Sequence, residues 1–404
     1  MGALAPGQLG DFTFADRENF TRPGPVRLHT PAVPFRIPSA RINWTNSSFL
    51  IGTAVATCTV VPLYLWHFKA DAFQVGMFFL YFIATGLSIT LGYHRLFAHK
   101  AFEARWPVRL LTLLFGAATF ENSALAWVSD HRRHHKNVDS DDDPYDITKG
   151  FWHAHIGWIL FKIDPEPPWD NVADLRKDRL VMLQEKYYVT IAITVGFLVP
   201  ALLGYLHAGW VGALGGFLIA GVARVFAVQH MTFFINSLCH TVGRQPYSDR
   251  CSARDSGLMA IFTFGEGYHN YHHEFQHDYR NGVKWWQWDP TKWSIWTLEK
   301  LGMANSLRRV SEEKILLMQL AEARRRLDER LACQVSPPLP GRTRLLLQNS
   351  GAKLHQLGER WTALKAEYAE KTDLQIDHAR AALAEIRREV SHAFDLLELA
   401  SATA

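Results

Sequence analysis

Nineteen histidines stand in this chain, and nine of them fall into a pattern that could hold metal. His94-Arg95-Leu96-Phe97-Ala98-His99 is an H-x4-H box, and His131-Arg132-Arg133-His134-His135 is an H-x2-H-H box. His269-Asn270-Tyr271-His272-His273 repeats the second form, and Asn236 and His240 stand four residues apart shortly before it. Spacings of three and four put side chains on one helix face, about one turn apart, as two ligands from one helix require. Nine imidazoles are too many for one ion and suit two. No Asp or Glu lies inside the boxes, which excludes a bundle-type centre built from Glu-x-x-His pairs. Imidazole accepts zinc, copper, iron and nickel alike. A structural zinc site would want four ligands, usually with thiolate, and only Cys239 is near. Two all-histidine ions beside apolar sequence therefore point to redox chemistry on an apolar substrate. Of the remaining histidines, His67 and His207 fall on the opposite face, while His153, His155, His230 and His277 read as packing or supporting groups.

The elements that must position these boxes are membrane helices. Ser48–Phe68, Phe73–Tyr93, Tyr188–Leu206 and Trp210–Gln229 are long apolar stretches, the last interrupted only by Arg224. Each is about 20 residues, enough to cross a hydrocarbon core roughly 30 Å thick. Short connections pair them into two hairpins, so both termini and all the boxes share one face. Arg41, Arg95, Lys100, Arg132 and Arg133 mark that face as cytoplasmic. A weaker apolar segment, Leu110–Val128, reads as a helix lying against the membrane. The chain divides into a cytoplasmic N-terminal segment (1–45), a membrane domain with a cap (46–300) and a helical tail (301–404). In the tail, amphipathic stripes at 354–368 and 386–397 follow a break at Pro337-Pro338-Leu339-Pro340-Gly341. The fold class is thus all-α integral membrane, with four transmembrane helices and a cytoplasmic helical cap. The 404 residues are 48% apolar and 20% charged, and the net charge of +4 gives no nucleic-acid footprint. Four cysteines without a C-x-x-C pair exclude a zinc ribbon, an iron–sulfur cluster and a disulfide scaffold. No signal-peptide pattern is visible at the start.

The order of the boxes, and the sequence around them, closely resembles the membrane-bound acyl-CoA desaturases of the stearoyl-CoA delta-9 type. The pieces that carry the likeness are GYHRLFAH (92–99), DHRRHHK (130–136), NSLCH (236–240), GEGYHNYHHEFQHDYRNG (265–282) and KWWQWDPTKW (284–293). The long third motif is not shared with alkane hydroxylases or sterol oxidases. The resemblance implies two iron ions held by His94, His99, His131, His134, His135, His240, His269, His272 and His273, with Asn236 acting through water. It implies that His131 and His135 serve one iron and His134 the other. It also implies a fatty acyl-CoA substrate, O2, membrane lipid around the spans, and head-group contacts from Asn122 and Lys149, while Trp127 is a candidate substrate contact as an aromatic that could line an apolar slot. The missing His-Pro-Gly-Gly haem motif means that electrons come from a separate donor: a ferredoxin, a rubredoxin or a b-type cytochrome with its reductase. The simple architecture suggests a bacterial inner membrane. Two departures stand out: Gln276 follows Phe275 where the family often has Pro, and the tail beyond Val310 has no counterpart.

Several supporting roles follow. Glu103, Glu121, Asp130, Asp255 and above all Glu266 are candidates to accept the free N–H of a ligating imidazole. Phe78, Phe79, Tyr81, Phe82, Trp152, Trp158 and Phe262, with Trp127, could line an acyl slot. The run Asp139-Ser140-Asp141-Asp142-Asp143 lacks the glycine and terminal glutamate of a calcium loop and reads as solvated. The rival readings are a histidine-box hydroxylase and a metal-binding membrane transporter. Transporters place polar ligands at the bilayer midplane, whereas these boxes gather at one face.

Overall fold

In lipid an apolar segment can satisfy its own backbone only as a helix or a closed barrel, and this chain is helical wherever its sequence is most apolar. The computed structural model describes residues 39–162, 168–332 and the helical positions 352, 356 and 359. Most of the N-terminal segment and both tail stripes lie outside the described residues. Among the described residues, three continuous helices are long and apolar enough to cross a membrane: α1 (Trp44–Phe68), α2 (Ala72–Ala98) and a run from Tyr188 to His240. α1 kinks at Thr59 (φ −122°, ψ −60°). Pro62 causes the kink, because it lacks the N–H that would bond the Cys58 carbonyl. Asp71 caps α2 by accepting the Gln74 N–H (2.8 Å).

The third and fourth apolar stretches form one run that reverses at Ala208–Gly209, where Gly209 has φ 58°. Its two arms pack backbone to backbone. A Cβ on Gly204 would stand 2.0 Å from the Gly212 carbonyl oxygen, and one on Gly216 would stand 2.1 Å from that of Pro200. At the reversal His207 meets Asp71 (2.8 Å) and stacks on Phe73, so both hairpin bends lie together, at the end away from the boxes. Arg224, the one charge in these arms, is fully buried and donates to the carbonyls of Ala118, Gly196 and Ala220. It holds the second arm against the end of a shorter apolar helix.

That shorter helix corrects the single helix expected over Leu110–Val128. Two helices occur instead, α3 (Trp106–Ala117) and α4 (Ala124–Asn137). The break has a local cause. Phe120 and Asn122 take positive φ, and Ser123 caps α4 by accepting the Ala126 N–H. The chain continues with α5 (Arg179–Lys186), the long apolar run α6 (Tyr188–His240), α7 (Gly257–Phe262), α8 (His269–Glu274) and α9 (Pro290–Lys300). A two-stranded ribbon, β1 (Glu103–Ala104) with β2 (Ala304–Asn305), closes it, and Arg308 N–H bonds the Ala101 carbonyl.

The last described helix, α10 (Glu312–Ala332), lies on the third histidine box. Its Ile315 packs in a cluster with Tyr247, Tyr271 and Phe275, and Arg325 pairs with Asp249. Burying one such aliphatic side chain is worth about 1.5–3 kcal/mol. Ending the chain after Val310 should therefore lower the melting temperature by several degrees relative to a chain ended after Gln334. Thermal unfolding of both truncated forms in detergent checks this, and equal melting temperatures would refute it.

Candidate metal centre

Each box comes from a different element. The spacing of five in the first box would put His99 about 140° around an α-helix from His94. From Ser88 to Ala98, however, α2 winds as a π-helix, and His99 N–H bonds the His94 carbonyl (3.0 Å). This wider turn returns both imidazoles to one side. His131, His134 and His135 lie on α4, His240 ends α6, and His269, His272 and His273 lie on α8.

The nine side chains gather into two groups. His94, His99, His131, His135 and His272 form one, and His134, His240, His269 and His273 the other, with candidate ligand atoms within 4.8 Å inside each group. The second box divides between the two groups, His131 and His135 in one and His134 in the other. In the first group His272 Nε2 stands 3.0 Å from both His94 Nε2 and His135 Nε2, and His99 Nε2 lies 2.8 Å from His131 Nε2. In the second, His269 Nε2 is 3.1 Å from both His240 Nε2 and His273 Nε2.

Outer partners decide which nitrogen faces inward. Asp143 accepts from His134 Nδ1 at 2.8 Å, and Glu266 Oε2 lies 3.0 Å from His94 Nδ1, although out of line for a straight hydrogen bond. His240 Nδ1 meets Ser252 Oγ (2.7 Å), whose own hydroxyl donates to Asp139. A carboxylate only accepts, so His134 carries its proton on Nδ1 and turns its Nε2 lone pair inward, and the Glu266 carboxylate beside His94 Nδ1 favours the same tautomer there. Converging lone pairs repel without a cation between them, so the donor set fits a transition metal in each group. Burial, followed by neighbouring imidazoles, holds His99, His131, His135, His272 and His273 well below the usual histidine range. Burial and His240 do the same for His269. At neutral pH these six keep the uncharged form that ligates.

A buried ion network fastens the first box to the third. Arg95 is 1% exposed and donates to Glu266 (2.8 Å), Asp289 (3.1 Å) and the Tyr279 carbonyl (2.7 Å). Asn281 donates to Glu266 (2.6 Å), and its own N–H to Asp289. Burial pushes the Glu266 carboxyl up, but Arg95 and His94 beside it bring it below the usual glutamate value.

The other sequence expectations fare unevenly. Glu266, three residues before His269, lies in the turn ahead of α8 and meets the imidazole of His94 rather than that of His269. Asp143, read as solvated, is buried against His134, because the acidic run folds back in a tight turn (Asp143 N–H to the Ser140 carbonyl, 3.0 Å). Neither it nor Asp139 carried a periodic signal. Asp130 pairs with Arg133, Asp255 accepts the Tyr271 N–H, and Glu103 lies in β1. Trp127 stacks on His131 at 4.8 Å. Asn122 lines a cleft of about 400 Å³ with Ser123, Trp169, Lys186 and Tyr188. Lys149 pairs with Asp146 (3.4 Å) and Asp141 (3.6 Å). Asn236 is half-buried one turn before His240. Phe79, Trp152 and Phe262 are exposed and line no interior slot, whereas Tyr81 is buried against Phe115.

Glu121 has a different role from the one expected. Its Oε1 accepts from Thr232 (3.0 Å) and its carboxyl faces the Trp127 indole, while Oε2 is buried without a hydrogen bond. Burial pushes this carboxyl up from 4.5 to about 8. Between those values the unfolded chain has released a proton that the folded chain still holds, so Glu121 lowers stability as pH rises through that window. Glu121→Gln should raise stability by roughly 2–4 kcal/mol near pH 8.5 and by much less near pH 5. Equal gains at both values in thermal unfolding would exclude the carboxyl as the cause.

Comparison with known proteins agrees with this geometry. The family model "Fatty acid desaturase" matches residues 71–302. Acyl-CoA desaturase 1 of Saccharomyces cerevisiae is 37% identical over 318 residues, covering 76% of this chain and 60% of the yeast protein. The sn-1 stearoyl-lipid 9-desaturase of Anabaena variabilis is 34% identical over 271 residues, covering 66% of this chain and 94% of that protein. Hex-5-enoyl-[acyl-carrier protein] acetylenase of Moorena producens is 31% identical over 280 residues, covering 66% and 86%. The matched region runs from the start of α2 to the end of α9 and holds every box; on that ground the chain belongs to the fatty acid desaturase family.

Proposed function

We propose that this protein is an O2-dependent fatty acyl desaturase that introduces a cis double bond, at the delta-9 position, into a saturated acyl-CoA. The observation that carries this reading is the pair of buried, inward-facing imidazole groups at the end of apolar helices, in a chain of the desaturase family. The overall reaction balances as follows. O2 takes four electrons, two of them with two protons from adjacent methylenes and two from an external carrier with two protons from water. A double bond and two waters result. Once bound, two iron ions supply the O2 reduction and the oxidant strong enough to break an unactivated C–H bond.

The chain's own residues do the remainder. The nine histidines, with Asn236 acting through water, would hold the ions. Glu266, Asp143 and the Ser252–Asp139 pair keep His94, His134 and His240 turned inward. Trp127, flat on His131, walls the first group, and Asn122 on its cleft, with Lys149, would meet the head group of the acyl carrier. The named relatives act on CoA, lipid or acyl-carrier-protein substrates. We assign CoA on the yeast relative, which covers the largest share of the chain among the three.

We read the reversal at Ala208–Gly209 as the turn between two spans within α6, for four spans in all. Both bends then face away from the cytoplasm, while the boxes and both termini face it. The division into 1–45, 46–300 and 301–404 is retained, with the membrane domain in a bacterial inner membrane. The deciding experiment is expression in a host that lacks unsaturated fatty acids, followed by mapping of double bonds in its lipids. Cis-9 monounsaturated chains are expected. Hydroxylated chains, or saturated chains only, would overturn the reading.

A further inference from the structure

Among the described residues, α7 exposes Leu258, Ile261 and Phe262, and α9 with the loop before it exposes five tryptophans, Trp285 most of all (86%). The two elements adjoin: a Cβ on Gly265, just after α7, would stand 2.5 Å from Asp289, the residue that caps α9. The tryptophan loop is pinned. Lys292 is buried, and its ammonium donates to the carbonyls of Gly282 (2.6 Å), Lys284 (2.8 Å) and Gln287 (3.2 Å). Lys284 N–H donates to the Gln287 side-chain oxygen (2.8 Å), and Gln287 N–H returns to the Lys284 carbonyl (3.1 Å). Trp285 and Trp286 therefore sit at the tip of a fixed turn. Contiguous apolar surface is uncommon where a protein faces water. Tryptophan is enriched where lipid head groups meet water, because its ring is apolar and its N–H polar.

The level of this surface follows from α2. Thr291, on α9, meets Thr90 (2.7 Å), one turn to the membrane side of His94. The turn after α7 reaches farther in: a Cβ on Gly86 would stand 2.6 Å from the Phe264 ring, which also lies 5.7 Å from that of Phe82. Gly86 is about two turns below His94 on α2, level with apolar residues such as Ile83 that α2 exposes. We infer that α7 and the Lys284–Trp288 loop are a membrane anchor of the cap, with Leu258, Ile261 and Phe262 among the acyl chains of the cytoplasmic leaflet and the tryptophans among its head groups. Lys284 and Lys300 are exposed and stand over the Trp286 and Trp296 rings (5.3 and 5.6 Å). Each ammonium thus lies at the same level as the rings, where it meets anionic head groups. The occupant is lipid rather than a second copy, because the patch continues the apolar face of a membrane span. The inference needs the spans and no statement about the reaction.

The test uses the full chain in nanodiscs of phosphatidylcholine with phosphatidylglycerol, doped with phospholipids that carry a photoreactive diazirine either in the head-group region or along the acyl chain. After irradiation, lipid adducts are mapped by peptide mass spectrometry. The acyl-chain probe should label 258–262, and the head-group probe 284–288, while the peptide holding Lys136 on the cap stays unlabelled. Trp285→Ser with Trp286→Ser should lower labelling of the loop about tenfold and leave the melting temperature and bound metal as in wild type. Lys284→Glu with Lys300→Glu should lower it in the anionic discs and not in discs of phosphatidylcholine alone. Adducts on α1 at Ile51 and Val55 with none on 258–262 or 284–288 overturn the inference. So do photocrosslinks between two chains through a diazirine amino acid at position 285 in place of lipid adducts, which would make the patch an interface between copies. Absence of label from α1 as well would overturn the spans and the anchor together. Loss of desaturation in a wild-type chain that shows the expected adducts would refute the desaturase reading and leave the anchor standing.

Discussion

His272→Ala should cost the protein metal from the five-histidine group and abolish desaturation. His272 Nε2 lies 3.0 Å from both His94 Nε2 and His135 Nε2, so its loss opens the centre of that group. The four-histidine group keeps all its members and the acceptors of His134 and His240. Bound iron should therefore fall from about two ions per chain to about one, since ligand geometry and count set occupancy. His273→Ala should show the converse, stripping the other group. Metal analysis of the purified variants distinguishes this from general unfolding, which would remove both ions. Two ions in either variant would refute the assignment of groups.

Arg95→Ala should be the most damaging substitution outside the ligands themselves. It would leave Glu266 (2% exposed) and Asp289 (fully buried) without their cation. Breaking a buried ion pair from one side costs about 3–5 kcal/mol, a large fraction of a typical folding free energy of about 5–15 kcal/mol. The freed Glu266 would also cease to orient His94, so metal should be lost with stability. Arg95→Lys should rescue little, because an ammonium cannot reach Glu266, Asp289 and the Tyr279 carbonyl together. A melting temperature and iron content like those of wild type in Arg95→Ala would show that the network is dispensable.

These two expectations divide along the line between local and long-range information. The candidate ligands are legible because metal binding needs a particular side chain at a particular spacing, and His-x-x-His-His states both in one stretch of chain. The apolar helices were legible for the same reason, since their lengths follow from the thickness of lipid. The π-helical turn before His99 was not legible, because how the backbone winds between His94 and His99 depends on what α2 packs against. Asp143 and Ser252–Asp139 were not legible, because a single carboxylate in a polar loop looks solvated until the loop is folded back on a box.

The sequence by itself determined which side chains could bind metal, that they come in two sets, and that greasy helices carry them to one end. Those properties depend on residue type and near-neighbour spacing, which the chain states directly. Only the tertiary structure decided that Arg95 is the buried cation joining the first box to the third, 171 and 194 residues from its partners Glu266 and Asp289. It alone set His99 and His135 beside Lys100, Arg132 and Arg308 along one cleft and laid α10 over Tyr271 and Phe275. Such contacts join segments remote along the chain, and their energies come from burial and pairing that exist only once the helices have packed.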